Sequence, residues 1–337
     1  MPITVCMYKK LSCYQLAWPC DWNHFFSGQG PLIVEVGFGN GDYLIHLAKT
    51  KPDARIIGFE IANKSLAKAE RKIRTQGLDH LIVVHSPAET AFHHLFEPDS
   101  IDEIHINYPD PWFKSRHSGK RLMKRETLDL MLNRLKPNGM FYLATDVAEY
   151  AEMSDEILRD TRQIDNQLEQ AWVEQLPDRI VTKYEARGVG LGNKPHYFIY
   201  KRNETASVDF PVIKDLEMPH LILETPMSLA EILNQFKKQT HHVEDIHIIF
   251  LDAYGNEKTS TLLFEANVIE PSIEQHVAIM MMPKKDQDHY ILRLNPLGHP
   301  RATVGLHQAV QRLGEWICSL DESAHIVALK LKAQDSL

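Results

Sequence analysis

The chain has 337 residues, of which 45 are acidic and 37 basic, and 44% are hydrophobic, enough for two domains with separate cores. No apolar run approaches the roughly 18 residues that a membrane helix needs, and nothing near the N-terminus resembles a signal peptide, so we expect a cytoplasmic protein that is not associated with a membrane. The four cysteines lack zinc-type spacing and the His-His pairs lack partner ligands, so no metal is predicted.

The first predicted elements form a strand, a glycine turn and a helix. Four aromatic residues within 18–26 predict an N-terminal segment, inside residues 1–30, that packs against the domain. A β-branched strand over Leu32–Val36 then leads into Gly37, Gly39 and Gly41, and a helix follows from Asp42 to Lys49. Such glycines let the backbone and the N-terminus of the helix approach a ligand.

Two acidic residues flank this turn and indicate the ligand. Glu60 ends a second strand, Arg55–Phe59, about twenty residues past the glycines, where a carboxylate can accept both ribose hydroxyls of a nucleoside. That spacing fits both NAD and S-adenosylmethionine. Glu35, two residues before the first glycine, would attract the cationic amino-acid end of S-adenosylmethionine and repel a diphosphate, and the turn is G-x-G-x-G, an incomplete pyrophosphate fingerprint. Both features favour S-adenosylmethionine.

The alternation of strands and helices continues to residue 144. Helices are predicted at 63–76 with an Asn cap, 89–96 and 122–135, and strands at 81–84, 101–106 and 140–144, with a turn at 137–139. This order predicts an α/β fold with a doubly wound parallel sheet, whose ligands lie at the carboxyl ends of the strands. Ser86–Glu89, Asp110 and Asp146 all fall at such ends.

The segment after the 101–106 strand carries the most specific signal. Asp110 lies between two prolines, with Tyr108 and Trp112 beside it. A carboxylate there can accept hydrogen bonds from the edge of a purine, and the aromatic rings can stack on an unpaired base. Six cations without an intervening acid follow and are interpreted as phosphate contacts: Lys114, Arg116, Lys120, Arg121, Lys124 and Arg125.

These motifs together resemble the bacterial tRNA (guanine-N7)-methyltransferase family over about residues 22–202. The resemblance rests on VEVGFGNG at 34–41, YPDPWFK at 108–114, Arg116-His117, ATD at 144–146 with Tyr150, and TKYE at 182–185. It implies a Rossmann-like class I S-adenosylmethionine-dependent methyltransferase that modifies a guanosine in the tRNA variable loop.

The resemblance also implies roles for individual residues. Glu35 and Glu60 would hold S-adenosylmethionine beside the glycine turn, and Asp110 would lie at the methyl-transfer centre. Substrate contacts would come from Lys114, Arg116, Asp146, Thr182, Lys183, Tyr184 and Glu185. The chain departs from the family at Pro87, where an Asp near the cofactor adenine is usual, and Ala88 or Glu89 is expected to substitute. Its basic string after His117 is also sparser.

The sequence after residue 203 changes in pattern and charge. Residues 1–203 hold 26 basic and 26 acidic side chains, whereas 204–337 hold 11 and 19. A linker is predicted at 203–207, and an α+β domain with an antiparallel sheet over 204–337. Predicted strands are 220–223, 246–253, 259–268, 276–282, 289–294 and 325–331, with helices at 229–238 and 304–319 and a hairpin turn at 254–257. Its acidity argues against RNA phosphates and leaves protein contact as a candidate role.

Two alternative functions remain open from the sequence. The Asn-Tyr-Pro-Asp-Pro-Trp string at 107–112 is similar to the loop with which amino-methyltransferases position an exocyclic amine, although the inserted acid and the trailing Lys-x-Arg-His argue against that activity. A non-catalytic RNA-binding subunit could share the fold, and the intact Glu35, Glu60, Asp110 and Asp146 argue against it.

Overall fold

A computed structural model describes residues 10–112, 121–177, 179–284 and 289–330, which form two compact units, 1–213 and 214–337. In the N-terminal unit the described strands are β1 (Lys10–Ser12), β2 (Leu32–Val36), β3 (Arg55–Glu60), β4 (Leu81–His85), β5 (Ile101–Asn107), β6 (Leu135–Thr145), β7 (Ile164–Asn166) and β8 (His196–Arg202). The helices are α1 (Asp42–Thr50), α2 (Asn63–Gln76), α3 (Ala88–His94), α4 (Arg125–Arg134), α5 (Ala148–Arg159) and α6 (Lys183–Gly190).

The strands of this unit form one twisted sheet in the order β1-β4-β3-β2-β5-β6-β8-β7. Strands β1 to β6 run parallel, whereas β8 pairs antiparallel with both β6 and β7. The strand order reverses between β2 and β5, and open α/β sheets bind their ligands at such a reversal. The predicted doubly wound α/β class is confirmed, and the antiparallel strand at one side is an addition to it.

The buried faces follow from the apolar pattern. Every residue of β2 is buried, as expected for a strand covered by helices on both sides of a parallel sheet. On one side α1 and α2 contribute Leu44, Leu66 and Ile73 to a core with β2 and β3. On the other side Phe96, just after α3, packs edge-on against Phe59 of β3 at a ring-centroid distance of 5.8 Å.

Two local predictions are corrected by the structure. Asn63 does not cap α2, because Ala62 occupies the cap position and the Asn63 side chain instead accepts a hydrogen bond from Lys10 Nζ (3.2 Å). The strand predicted at 140–144 extends over the predicted turn at 137–139, with Asn138 in a left-handed conformation (φ 67°).

The aromatic N-terminal segment packs against the domain as predicted. Trp18 stacks on His94 with a ring-centroid distance of 3.7 Å, and Trp22 stacks on Phe96 at 5.3 Å. Both indoles are more than nine-tenths buried. The segment therefore extends the core beneath α3.

The predicted linker also packs on the N-terminal unit. Asn133 Nδ2 donates to the carbonyl of Val208, and the fully buried Arg134 guanidinium donates to the carbonyls of Phe92 and Phe210. The amide of Ile213 donates to the carbonyl of His93. The compact unit accordingly ends at Ile213, later than the predicted boundary at 203/204.

The C-terminal unit is an antiparallel sheet with helices packed on one face. Its strands, in the sheet order β10-β11-β12-β13-β14-β9-β15, are β9 (His220–Glu224), β10 (Gln239–Val243), β11 (Ile246–Asn256), β12 (Thr261–Glu270), β13 (Ile273–Pro283), β14 (His289–Leu294) and β15 (His325–Lys330). Helices α7 (Leu229–Gln235) and α8 (Val304–Cys318) cover a core that includes Phe264, Ile279 and Leu313. The predicted α+β class is confirmed; β10 was not predicted, and the hairpin turn lies at 257–260, three residues beyond its predicted start.

Candidate active site

A cavity of about 360 Å³ opens where the order of the parallel strands reverses. The glycine turn, the end of β3 and the loop after β5 supply most of its walls, and Thr182 contributes from the segment before α6. Glu35, Glu60 and Asp110 all line it. The structure therefore brings together three acidic residues that the sequence places up to 75 positions apart.

The glycine turn shapes one wall of this cavity. Gly37, Gly39 and Gly41 have φ values of 68°, 54° and 72°, a region that L-residues with a Cβ rarely adopt. A Cβ at Gly41 would also lie 3.1 Å from Cβ of Ala69, so a side chain there would crowd α2. The turn thus delivers the N-terminus of α1 to the cavity.

Glu60 holds the backbone around the cavity together. Its Oε1 accepts from the amides of Ile61 (2.8 Å) and Ala62 (2.9 Å), and its Oε2 accepts from the amide of Gly39 (2.9 Å). A carboxylate has about four acceptor positions, so capacity remains for ligand hydroxyl groups. The same side chain therefore fixes the glycine turn and keeps the acceptor capacity that the predicted ribose contact requires.

Glu35 is a buried carboxylate with one unused oxygen. The residue is 1% exposed; its Oε1 accepts from Asn107 Nδ2 at 2.9 Å, and its Oε2 has no partner. Burial raises the pKa of Glu35 to about 7, opposed by the Asn107 hydrogen bond and the Arg179 charge, and Glu60 adds to the rise. An unpartnered anionic oxygen in a cavity is suited to bind a cationic group.

This pKa predicts how cofactor binding depends on pH. A raised pKa means that the folded chain holds the Glu35 proton more tightly than the unfolded chain, so this group's contribution to stability is present at low pH and is lost as the pH rises toward 7. A ligand with a cationic end needs the ionised form. Its affinity should therefore rise as the pH increases through about 7 and level off above.

Calorimetry with S-adenosylhomocysteine at about pH 6 and about pH 8 measures this dependence. Glu35→Gln is the matched control, because the amide cannot ionise and the slope should disappear. Equal wild-type affinities at the two pH values would contradict the assignment.

Asp110 lies in the loop after β5, which has an unusual backbone. Tyr108 and Trp112 adopt φ values of 51° and 40°, and the amide of Tyr108 donates to the carbonyl of Ala144 at the end of β6 (2.7 Å). Asp110 itself is exposed at the cavity wall, and 37% of Trp112 is exposed. The loop therefore presents a carboxylate and an indole to solvent next to the cavity.

A chain of hydrogen bonds that begins at Tyr108 supports this loop. The hydroxyls of Tyr108 and Tyr197 are 3.4 Å apart, and Tyr197 donates to Oε1 of the buried Glu185. Thr182 and Glu185 bond reciprocally, with the Glu185 amide donating to Thr182 Oγ1 (3.2 Å) and the Thr182 amide to Glu185 Oε2 (3.4 Å). This arrangement is a capping box at the start of α6.

For the other predicted substrate residues the structure describes contacts of Asp146 alone. Asp146 follows β6, accepts from Asn193 Nδ2 (3.1 Å) and packs against Gly188 of α6. Lys114 and Arg116 lie outside the described residues, as do the side chains of Lys183 and Tyr184. The proposed substrate contacts of all these residues stay predictions.

The described residues of the basic run bind other groups of the same chain. Arg121 Nε donates to the carbonyl of Trp112 (3.2 Å), Lys124 lies 3.5 Å from Glu89, and Arg125 pairs with Asp129 at 3.0 Å. Arg121 therefore braces the Asp110 loop. Lys124 and Arg125 are tied to neighbouring carboxylates, which reduces the charge they offer to RNA.

Two residues were expected from the sequence to substitute for the missing Asp near the cofactor adenine, and the structure places them differently. Ser86 and Ala88 line the cavity at the end of β4, whereas the Glu89 carboxylate is paired with Lys124. Ala88 therefore lines the cavity and Glu89 does not, and an adenine contact from Ala88 stays a prediction.

Sequence reasoning missed Asn107, Arg179, Tyr43 and Tyr197. Arg179 Nη2 donates to Asn107 Oδ1 (2.5 Å), and its guanidinium lies 4.3 Å from the ring centroid of Tyr43 and 4.8 Å from that of Tyr197. Asn107 carried a weak signal, since it is polar and ends a strand. Arg179 carried none, because it lies in an irregular segment and meets these residues only in the folded chain.

The residues present fit S-adenosylmethionine. Glu60 offers acceptors for ribose hydroxyls, the orphaned Glu35 Oε2 suits an ammonium group, and the left-handed glycine turn leaves room for a nucleoside between them. The strand order reverses beside this turn, and the antiparallel strand β8 follows β6 in the sheet, which completes the arrangement. The fold and the site define an S-adenosylmethionine-dependent methyltransferase.

Comparison with known proteins identifies the family. A family model described as "Putative methyltransferase" matches residues 29–198. The tRNA (guanine-N(7)-)-methyltransferase of Vibrio parahaemolyticus is 33% identical over 54% of this chain and 77% of its own length, and that of Cupriavidus metallidurans is 35% identical over 52% and 68%. The chain belongs to the tRNA (guanine-N(7)-)-methyltransferase family, which confirms the resemblance and the predicted cofactor.

A third relative extends the match beyond the predicted range. The tRNA (guanine-N(7)-)-methyltransferase of Deinococcus radiodurans is 29% identical over 85% of this chain and 89% of its own length. The N-terminal unit holds only 213 of the 337 residues, so this alignment continues into the C-terminal unit. The family model itself ends at residue 198, in agreement with the resemblance over about residues 22–202, and this relative matches part of the C-terminal unit in addition.

Proposed function

We propose that this chain transfers the methyl group of S-adenosylmethionine to N7 of a guanosine in the variable loop of tRNA. The observation that carries the proposal is that the Asp110 carboxylate lies at the wall of the same cavity that holds Glu35 and Glu60. A purine gripped by Asp110 would thus lie beside the methyl donor.

The main requirement of this reaction is that the protein orients guanine N7 toward the methyl group. Guanine N7 carries a lone pair and no proton, so no residue has to act as a general base. Bound S-adenosylmethionine supplies a methyl group on a sulfonium, which the lone pair attacks in line. Asp110 accepts from the N1–H and N2–H₂ edge of the base, and its negative charge favours the positive charge that develops on the ring.

Further contacts would hold the base and the adjoining backbone. The half-exposed Trp112 offers a face for stacking, and the predicted contacts of Lys114, Arg116, Asp146 and residues 182–185 would surround the nucleotide. The known positions of Asp146 and Thr182 fit this proposal, because each lies in a segment next to α6, and Thr182 lines the cavity.

The test is a methylation assay with a defined product. The purified chain is incubated with labelled S-adenosylmethionine and unmodified tRNA, and the methylated nucleoside is identified after digestion. Chemical cleavage at 7-methylguanosine maps it to a position, expected in the variable loop. Label on an exocyclic amine would favour the amino-methyltransferase alternative, and absence of label would favour the non-catalytic RNA-binding subunit.

The place of action follows from the substrate. No helix among the described residues has the length and apolar character needed to cross a bilayer. Because tRNA is the proposed partner, we propose that the enzyme works in the cytoplasm without membrane association.

The acidic C-terminal unit is proposed to contact protein rather than RNA, because the 17 acidic and 11 basic residues of 214–337 oppose phosphate binding. Deleting residues 214–337 should leave a folded chain whose tRNA affinity is within a few fold of wild type and whose affinity falls with salt along the same slope. Filter binding over a salt series measures both quantities.

The deletion must begin after Ile213, because residues 207–213 are bonded to Asn133, Arg134 and His93. A deletion beginning at residue 203 is the matched comparison and should be less stable. A slope reduced by several units in the 214–337 deletion would show that cations of the C-terminal unit contact phosphates. An insoluble product would contradict independent folding.

A further inference from the structure

Arg179 occupies a cradle next to the cofactor cavity. Its guanidinium lies over the rings of Tyr43 from α1 and Tyr197 from β8, with centroid distances of 4.3 and 4.8 Å. Contacts of this kind with aromatic faces fix the plane of a guanidinium as well as its position. The side chain is thereby held with one of its terminal nitrogens directed at Asn107.

The Asn107 amide is fixed in one orientation by two charged neighbours. Arg179 Nη2 donates to its Oδ1 at 2.5 Å, and its Nδ2 donates to Glu35 Oε1 at 2.9 Å. Rotating the amide by 180° would set its NH₂ against a guanidinium, where both groups are donors, and its oxygen against a carboxylate, where both are acceptors. Arg179 therefore determines which end of the amide faces Glu35.

This orientation decides which oxygen of Glu35 is available to a ligand. With Asn107 on Oε1, the second oxygen of this cavity-lining residue is left without a partner. Without Arg179 the amide could turn, and Glu35 would lose its one described hydrogen bond while remaining 1% exposed. A buried carboxylate without a donor tends to take up a proton, and a protonated carboxyl cannot attract a cation as strongly.

We propose that Arg179 is a positioning residue for the cofactor: through Asn107 it holds Glu35 ionised and oriented, so that Glu35 Oε2 binds the α-ammonium group of S-adenosylmethionine. This role rests on the proposed function and adds a residue outside the sequence motifs. It concerns the amino-acid end of the cofactor alone, because the ribose is predicted to bind Glu60, whereas the described contacts of Arg179 are with Asn107, Tyr43 and Tyr197.

The electrostatic surroundings of Glu35 support this role. The groups that act on it are Asn107 from β5, Arg179 from the segment before α6, Glu60 from β3 and the Tyr43 hydroxyl from α1. Burial and Glu60 raise its pKa, and Asn107 and Arg179 lower it. Arg179 is thus the described cation that favours the ionised carboxylate, and it acts both by charge and through the amide.

The test compares two ligands that differ only at the end in question. S-adenosylhomocysteine carries the amino-acid group, whereas 5′-methylthioadenosine has the same nucleoside without it. Arg179→Gln should lower the affinity for S-adenosylhomocysteine by about tenfold or more, the scale of a hydrogen bond to a charged group. It should change the affinity for 5′-methylthioadenosine by less than about twofold. Calorimetry on the full-length chain gives both affinities.

A pH series and two further variants complete the experiment. In Arg179→Gln the rise of S-adenosylhomocysteine affinity should move to higher pH than in wild type, and Arg179→Lys, which keeps the charge, should move it back toward the wild-type position. Arg55→Gln is the control, because Arg55 is also half-buried but bonds Gly30 and Asn23 instead. Its affinities should match wild type for both ligands.

The outcomes separate this inference from the proposed function. If wild type binds S-adenosylhomocysteine and Arg179→Gln binds it equally well, or loses both ligands to the same extent, the positioning role is overturned and the function stands. If wild type binds neither ligand, the proposed function fails and the inference fails with it.

Discussion

Replacing Asp110 with asparagine should lower turnover by at least about 100-fold, the usual scale for removing one preorganised electrostatic group. The asparagine keeps the shape of the side chain but removes the charge that favours the cationic product, and it offers an NH₂ to a guanine edge that is itself a donor. Single-turnover methylation of tRNA measures the loss.

Cofactor affinity distinguishes this effect from misfolding. Asp110 is exposed, and the hydrogen bonds that hold its loop come from Tyr108 and Arg121, so the variant should bind S-adenosylhomocysteine almost as wild type does. Asp53→Asn, an exposed aspartate in the turn before β3, is the control and should keep full turnover. Near-normal activity of Asp110→Asn would reduce Asp110 to a turn residue between two prolines.

Replacing Glu60 with alanine should weaken cofactor binding by about 1.5 to 3 kcal/mol, the cost of losing hydrogen bonds to a charged group. The structure adds a second reason to expect a large effect, because the same carboxylate accepts from the amides of Gly39, Ile61 and Ala62. The variant loses acceptors for the ribose and also the bonds that fix the glycine turn. Calorimetry with S-adenosylhomocysteine gives the change in affinity.

Glu60→Gln separates the two contributions. It retains one oxygen that can accept from Ile61 and Ala62, but it presents an NH₂ to the Gly39 amide in place of an acceptor. Its affinity should fall between those of wild type and Glu60→Ala. An alanine variant with wild-type affinity would show that Glu60 serves the turn without contacting the cofactor.

The central fold could be predicted because its signals are local. A buried strand such as β2 is apolar at every position except Glu35, and a turn such as 37–41 needs glycines, so the order from β2 to β6 can be predicted from the sequence. Strand β8 was not predicted, because His196–Arg202 alternates polar and apolar residues weakly and its partner β6 lies some fifty residues earlier. The packing of 207–213 was also not predicted, because its partners Asn133 and Arg134 lie on a helix more than seventy residues earlier in the chain.

The residues of the candidate site could be predicted only where they adjoin a recognisable element or motif. Glu35 and Glu60 are adjacent to recognisable elements, and Asp110 is marked by its prolines. The pairing of Asn107 with Glu35 joins residues 72 positions apart, and Arg179 lies another 72 positions beyond Asn107. Neither contact has a period or a motif, because both depend on how β2, β5 and the segment before α6 meet in three dimensions.

The capping box before α6 affects how loss-of-function variants in this family should be read. Thr182 and Glu185 bond each other's amides, and Glu185 also accepts from Tyr197. The inactivity of a Thr182→Ala variant would therefore have two possible causes. One is the loss of the helix cap together with a shift of Tyr197, and the other is the loss of a contact with guanosine. If a genetic screen finds that neither position tolerates substitution, the shared capping box is enough to explain both results. A variant that keeps the cap, such as Thr182→Ser, is needed to test whether Thr182 contacts the substrate.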